Sequence, residues 1–207
     1  MAKGPVYDAA VNARAADPSN AVPAPGIDVS GHWVFGYGSL MWRPDFAFAE
    51  RHPARLMGAH RALCLYSHVH RGTPERPGLV LGLDLGGQCR GVAYRVEADL
   101  WPATLAYLRE REQTTKAYRE VHRRVRLASH PAREVLALVY VIDRAHPQYA
   151  GNLTREEQLY LVRQGHGRSG PNRDYVLATV AELERLGIRD DGLSWLAERL
   201  WSSSDKP

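Results

Sequence analysis

Cysteine is scarce: Cys64 and Cys89 are the only two in 207 residues. A small disulfide scaffold needs more bridges in a shorter chain, so the composition points to a reducing, cytoplasmic setting. Lysine is nearly absent too, standing only at Lys3, Lys116 and Lys206. No lysine-rich block marks a nucleic-acid footprint. Neither sign of charge dominates, with 27 basic residues against 23 acidic and a formal net charge of +4. The arginines are scattered among acids, so no polycationic surface and no nucleic-acid partner are expected. Long hydrophobic runs are missing as well. The longest, Val135-Leu-Ala-Leu-Val-Tyr-Val-Ile142, is less than half a bilayer span of about 20 residues. The opening Met1-Ala-Lys-Gly-Pro-Val-Tyr-Asp8 lacks the apolar region of a secretory signal. These absences exclude a helical membrane protein, a secreted mini-protein and a repeat array, and leave a soluble cytoplasmic globule as the expectation.

What is present is enough apolar residue, 44%, for one packed domain. Residues 1–30 are rich in Ala, Pro, Asn and Asp without an apolar period and read as a loosely ordered extension. Residues 31–207 read as a single domain. Strand-like runs occur at His32–Leu40, Arg61–His70, Gly78–Leu85 and Gly91–Val96, with Gly86-Gly87 as a turn, and again at Val121–Leu127 and Val135–Ile142. Asp99-Leu-Trp-Pro102 opens a helix, Thr154-Arg-Glu-Glu157 has capping-box spacing, and Asn172 is placed to cap a helix that stops at Gly187. A last amphipathic segment covers Leu193–Trp201. Strands fill the first two thirds, helices the last, and no βαβ alternation appears, which indicates an α+β fold.

Two features carry chemistry. Gly36-Tyr-Gly-Ser-Leu40 follows the strand residues Trp33-Val-Phe35. Glycines there allow a sharp turn and a close ligand approach, with successive N–H groups converging on an anion. The alternative is a plain turn; the dinucleotide, phosphate-loop and nucleophile-elbow patterns all fail. The second feature is Glu112. On a helix from Trp101, residues Leu105, Leu108 and Glu112 lie within about 40° of Trp101, whereas Glu110 falls about 180° away. An inward carboxylate either rises in pKa, as a general base requires, or pairs with a nearby arginine. Other groups read more plainly. His68 and His70 point to one face if they lie on a strand, but no third metal ligand stands at motif spacing, so no metal is expected. Cys64 and Cys89 read as buried, inert thiols. Tyr37, Tyr118 and Tyr140 each offer a hydroxyl to a ligand or fill the core.

Together these residues resemble the ChaC-type, glutathione-specific γ-glutamylcyclotransferases. The resemblance runs through Trp33-Val-Phe-Gly-Tyr-Gly-Ser-Leu-Met-Trp-Arg-Pro44, Tyr66-Ser-His68 and Arg71-Gly-Thr-Pro-Glu-Arg-Pro-Gly-Leu-Val-Leu-Gly-Leu83. It continues in Gly91-Val-Ala-Tyr-Arg-Val96, Tyr107-Leu-Arg-Glu-Arg-Glu112 and Ser169-Gly-Pro-Asn-Arg-Asp-Tyr175. It implies a γ-glutamylcyclotransferase-like fold, a mixed sheet curled toward a small barrel with helices outside. It implies a lyase that turns glutathione into 5-oxoproline and Cys-Gly without cofactor or metal. Glu112, which ends the Tyr-Leu-x-x-Arg-Glu motif, is then the catalytic acid/base. The loop Val34, Phe35, Gly36, Tyr37, Gly38, Ser39 and Leu40 binds substrate, with Tyr118 and Tyr140 as further contacts. Relatives often place a Gly-Gly pair where Lys116-Ala117 stand here. A cyclotransferase for other γ-glutamyl amines or amino acids, and a non-catalytic γ-glutamyl-binding module, are the competing readings. Oligomeric state is not legible.

Overall fold

A computed structural model describes residues 27–112, 116–129 and 133–201. Five strands close a barrel: β1 (Ile27–Gly36), β2 (Glu50–Ser67), β3 (Gly78–Val96), β4 (Tyr118–Leu127) and β5 (Arg133–Ile142), in spatial order β1-β3-β2-β4-β5. Neighbours are antiparallel except β1 and β5, whose parallel pairing, with Val34 opposite Leu138, shuts the barrel. Period-two alternation sends adjacent residues to different packing layers. Phe35 joins the main core with Leu56, Leu81, Val125 and Val139. Its neighbour Val34 packs with Leu108, Leu138 and Tyr140 in a second cluster.

Four helices and a two-stranded ribbon complete the chain: α1 (Trp101–Glu112), α2 (Arg155–Gln164), β6 (His166–Gly167), β7 (Gly170–Pro171), α3 (Asn172–Arg185) and α4 (Asp191–Trp201). Helix α1 lays Trp101, Leu105 and Leu108 on the Val34 cluster. The other three cover the main core with Val162, Val176, Leu183, Leu196 and Leu200. The capping box forms as its spacing implied: Glu157 N donates to Thr154 Oγ1, and Thr154 N donates to the Glu157 carboxylate. Helix α3 ends at Gly187, φ +64°, with Ile188 N donating to Leu183 O. The α+β class and the barrel with external helices are as the sequence indicated.

Several local expectations change. β1 begins at Ile27, so residues 27–30 of the expected extension pair with β5 through Ile27–Glu134 and Asp28–Val135; residues 1–26 lie outside the described residues. β2 starts eleven residues before Arg61. Exposed Arg55 alternates there with buried Ala54 and Leu56, so no apolar run announces the strand. β2 also stops at Ser67, which puts His68 and His70 in a loop, not on one strand face. Gly86-Gly87 do not separate two strands. With φ +92° and +70° they kink a continuous β3 where the register shifts opposite Gly58, a bulge that bends the ribbon. Asn172 does not cap α3. Fully buried, it accepts from Leu79 N at 2.6 Å and donates to Leu79 O at 2.7 Å, tying α3 to β3.

Candidate active site

A cavity of about 690 Å³ opens where the segment after β1, the end of β2, the start of β3, the end of α1 and α3 meet. The segment after β1 turns back sharply. A Cβ on Gly36 would lie 3.0 Å from the Leu40 Cβ, so any larger residue there would crowd the fold-back into the one-turn 3₁₀ helix Ser39–Met41. Each carbonyl along the turn has a protein donor. Tyr37 O accepts from Arg61 Nε at 2.6 Å, Gly38 O from Met41 N, Ser39 O from Arg43 N, and Leu40 O and Met41 O from Tyr94 Oη. In a trans peptide the N–H points opposite the preceding carbonyl. Among the described residues no acceptor is found for the N–H groups of Gly38, Ser39 and Leu40. The start of even a short helix leaves such donors free, and free donors on a cavity-lining turn are available to an anionic oxygen.

Glu112 ends α1 and lines the same cavity. Its side chain is only 16% exposed. Burial raises its pKa above the ordinary carboxylate value, and the Arg111 cation, Nε 3.3 Å from Oε1, partly opposes that rise. Both sequence alternatives therefore hold at once: the carboxylate is desolvated and it has an arginine beside it. Glu110 is exposed, as the helical wheel implied, and stands at the cavity rim. Arg111 is the hub of this corner. It donates to Ser39 Oγ at 2.8 Å, Tyr107 Oη at 2.6 Å and Arg43 O at 2.8 Å, so the glycine turn and the carboxylate are held by one guanidinium.

Tyr37, Tyr118, Tyr140 and Tyr175 surround Glu112, and burial raises the pKa of each, with the Glu112 charge adding to the effect. Their hydroxyl hydrogens differ in fate. Tyr118 donates to Leu81 O at 2.7 Å, and Tyr140 donates to Glu120 at 3.3 Å. The Glu120 carboxylate is itself held by Arg109 through two contacts of 2.8 and 2.9 Å. Tyr37 Oη has no partner among the described residues, and Tyr175 Oη is an acceptor, from Leu81 N at 3.2 Å.

Of the residues singled out from sequence, the cavity gathers Tyr37, Gly38, Ser39, Leu40, Glu112, Tyr118 and Tyr140. Val34, Phe35 and Gly36 do not line it; the first two are wholly buried in the packing layers and Gly36 serves the turn. His68 and His70 do line it, with His70 Nδ1 3.0 Å from Ser169 Oγ and its pKa lowered by burial and by Arg168, Arg71 and Arg111. Among the described residues no three His, Cys, Asp or Glu side chains gather as metal ligands. Both cysteines are free and buried. Sequence reasoning missed Arg61, Arg71 and Arg111 as builders of the site. Arg111 left a signal by standing next to Glu112 in its motif, and Arg71 by heading the Arg71-Gly-Thr-Pro74 run.

The barrel, the donor-lined turn and the desolvated carboxylate match a known family. Residues 32–201 fit the ChaC-like protein family, and the chain belongs to it. It is 38% identical over 162 residues to the glutathione-specific γ-glutamylcyclotransferase of Escherichia coli K12, spanning 78% of this chain and 69% of that one. It is 33% identical to the human glutathione-specific γ-glutamylcyclotransferase 1, over 77% of this chain and 73% of the relative. A crystal structure of a yeast γ-glutamyl cyclotransferase specific to glutathione shares the fold, with a TM-score of 0.76 at 24% identity over 83% of this chain and 96% of the other.

Proposed function

We propose that this chain is a γ-glutamylcyclotransferase that cleaves glutathione to 5-oxoproline and Cys-Gly. The observation that carries the reading is the placement of a raised-pKa carboxylate, Glu112, in one cavity with a turn that offers three unpaired N–H groups. The α-amine of the γ-glutamyl group attacks its own γ-carbonyl, a C–N bond closes the five-membered lactam, and the old γ-amide bond breaks. The nucleophile is already tethered, so the protein holds a folded conformer and moves protons. Glu112 takes a proton from the ammonium and returns one to the departing amine. The N–H groups of Gly38, Ser39 and Leu40 receive the oxyanion of the tetrahedral intermediate. Arg43, Arg71 and Arg168 on the cavity wall favour a substrate with two carboxylates.

The same reading assigns a cytoplasmic, metal-independent reaction carried by a single domain whose barrel begins at Ile27. It is supported by the two free thiols and by chemistry that needs no Lewis acid. The purified protein is to be incubated with glutathione, γ-Glu-Ala and γ-glutamyl-ε-lysine after exhaustive chelation, and 5-oxoproline quantified. A clear preference in kcat/KM for glutathione is expected. Equal values for glutathione and γ-Glu-Ala reject the selectivity, and activity lost on chelation and restored by one divalent metal rejects metal independence.

A further inference from the structure

We infer that Tyr175 is a second catalytic residue: its hydroxyl donates a hydrogen bond to the oxyanion that forms beside Gly38. The inference rests on the cyclotransferase reading and extends it to a residue on another element, α3.

Four tyrosines approach Glu112, and their hydrogen bonds sort them. A phenol has one hydrogen to give. Tyr118 gives its hydrogen to Leu81 O and Tyr140 to Glu120, so neither has one left for a ligand. Tyr175 is the converse case. Its oxygen receives Leu81 N–H, which fixes the oxygen's position and leaves its own hydrogen free to turn toward the cavity it lines. The residue is 7% exposed, so most of its ring is packed and its hydroxyl is held in place at the cavity wall.

The oxygen faces the glycine turn. A Cβ built on Gly38 would come to 3.5 Å from Tyr175 Oη, so the bare Cα of Gly38 leaves a gap between the turn and this hydroxyl. A carbonyl oxygen entering that gap meets backbone N–H groups from one side and the Tyr175 O–H from the other. The Arg71 guanidinium lies over the Tyr175 ring at 5.4 Å, and its charge offsets part of the pKa rise that burial imposes on the hydroxyl. Arg71 is in turn fixed by donation to Ser169 O at 2.6 Å and Pro171 O at 3.1 Å. Leu81 is thus gripped by two tyrosines, Tyr118 on its carbonyl and Tyr175 on its N–H, and only the second grip leaves a donor over.

The test compares Tyr175→Phe with 3-fluorotyrosine incorporated at position 175, using 5-oxoproline release from glutathione and from γ-Glu-Ala. Phenylalanine removes the donor but also strips Leu81 N–H of its acceptor. Fluorotyrosine keeps the oxygen and changes the acidity of its hydrogen. Loss of one oxyanion donor lowers kcat about 10²–10³-fold, with KM moving less than about threefold because the bond forms only in the transition state. The fluorotyrosine protein should change in kcat while its Tm stays that of wild type. An active wild type whose Tyr175→Phe kcat falls less than threefold overturns the inference. So does a fall that follows Tm while the fluorotyrosine protein is unchanged. A wild type that releases 5-oxoproline from no γ-glutamyl compound overturns the underlying reading as well, and does so before any variant is made.

Discussion

Glu112→Gln separates chemistry from folding at a single atom. The amide keeps the size of the side chain and removes the titrating oxygen, so kcat should fall by about 10²–10⁴, the range for a positioned general acid/base. That corresponds to about 3–5 kcal/mol of barrier. Stability should move the other way. A carboxyl whose folded pKa is raised holds its proton more tightly in the native state than in the unfolded chain. The native state is therefore favoured at pH below the ordinary carboxylate value and loses that advantage as pH rises toward the raised one. Above that window the wild type carries a desolvated charge that glutamine lacks. The change removes one contact from Arg111, at 3.3 Å, but that guanidinium keeps Ser39 Oγ, Tyr107 Oη and Arg43 O, so the corner should hold. Expected, then, is a Tm gain over wild type that grows as pH rises from the ordinary carboxylate range through the raised value and fades back toward that range. Glu110→Gln, at the exposed rim of the cavity and not in its buried corner, should lose far less turnover. Equal losses in the two variants, or a Glu112→Gln protein that unfolds, would make Glu112 a structural ion-pair partner and refute the assignment.

Arg111→Gln frees the glycine turn and removes the charge that opposes the rise of the Glu112 pKa. The acid limb of the kcat/KM profile should move to higher pH, and Arg111→Lys should restore the limb better than the rate. Asn172→Ala orphans both Leu79 N and Leu79 O in a buried setting and should cost about 2–4 kcal/mol in denaturant unfolding. A chain starting at Ile27 should melt with the full-length protein. One starting at Gly31 should melt lower, having lost the Ile27 and Asp28 strand pairings and the Asp28–Arg133 ion pair; equal Tm values for the two would place residues 27–30 outside the stability-determining sheet.

The helical wheel found Glu112 because α1 is regular: its inward stripe, Trp101, Leu105 and Leu108, extends one turn further to the carboxylate. The loop was legible only in part. Composition marked Gly36–Leu40, but the two-residue period of β1 hides which of Val34 and Phe35 faces what, and both prove to be core. Arg61 and Arg71 act across long sequence separations, on Tyr37 O and under Tyr175, and nothing local announces such partners. Lys116 is instructive in another way. It occupies φ +56°, the left-handed region that glycine adopts without strain. The Gly-Gly pair expected from the resemblance would relax this backbone position, which the chain instead fills with a strained lysine.

The glycine turn has its carbonyls capped from behind by Arg61, Tyr94 and its own next residues, which makes its cavity side one-signed. The backbone there offers a ligand N–H donors while its carbonyls are already engaged, so the turn sorts functional groups by polarity as well as by shape. An ammonium brought against it is better served by Glu112, the buried carboxylate among those that line the cavity. A bound γ-glutamyl group that is flipped end for end would set its amine against N–H groups and its carbonyl against that carboxylate, two repulsions in place of two attractions. Only one heading is tolerated, and it is the heading in which amine and carbonyl face each other across the ring about to close.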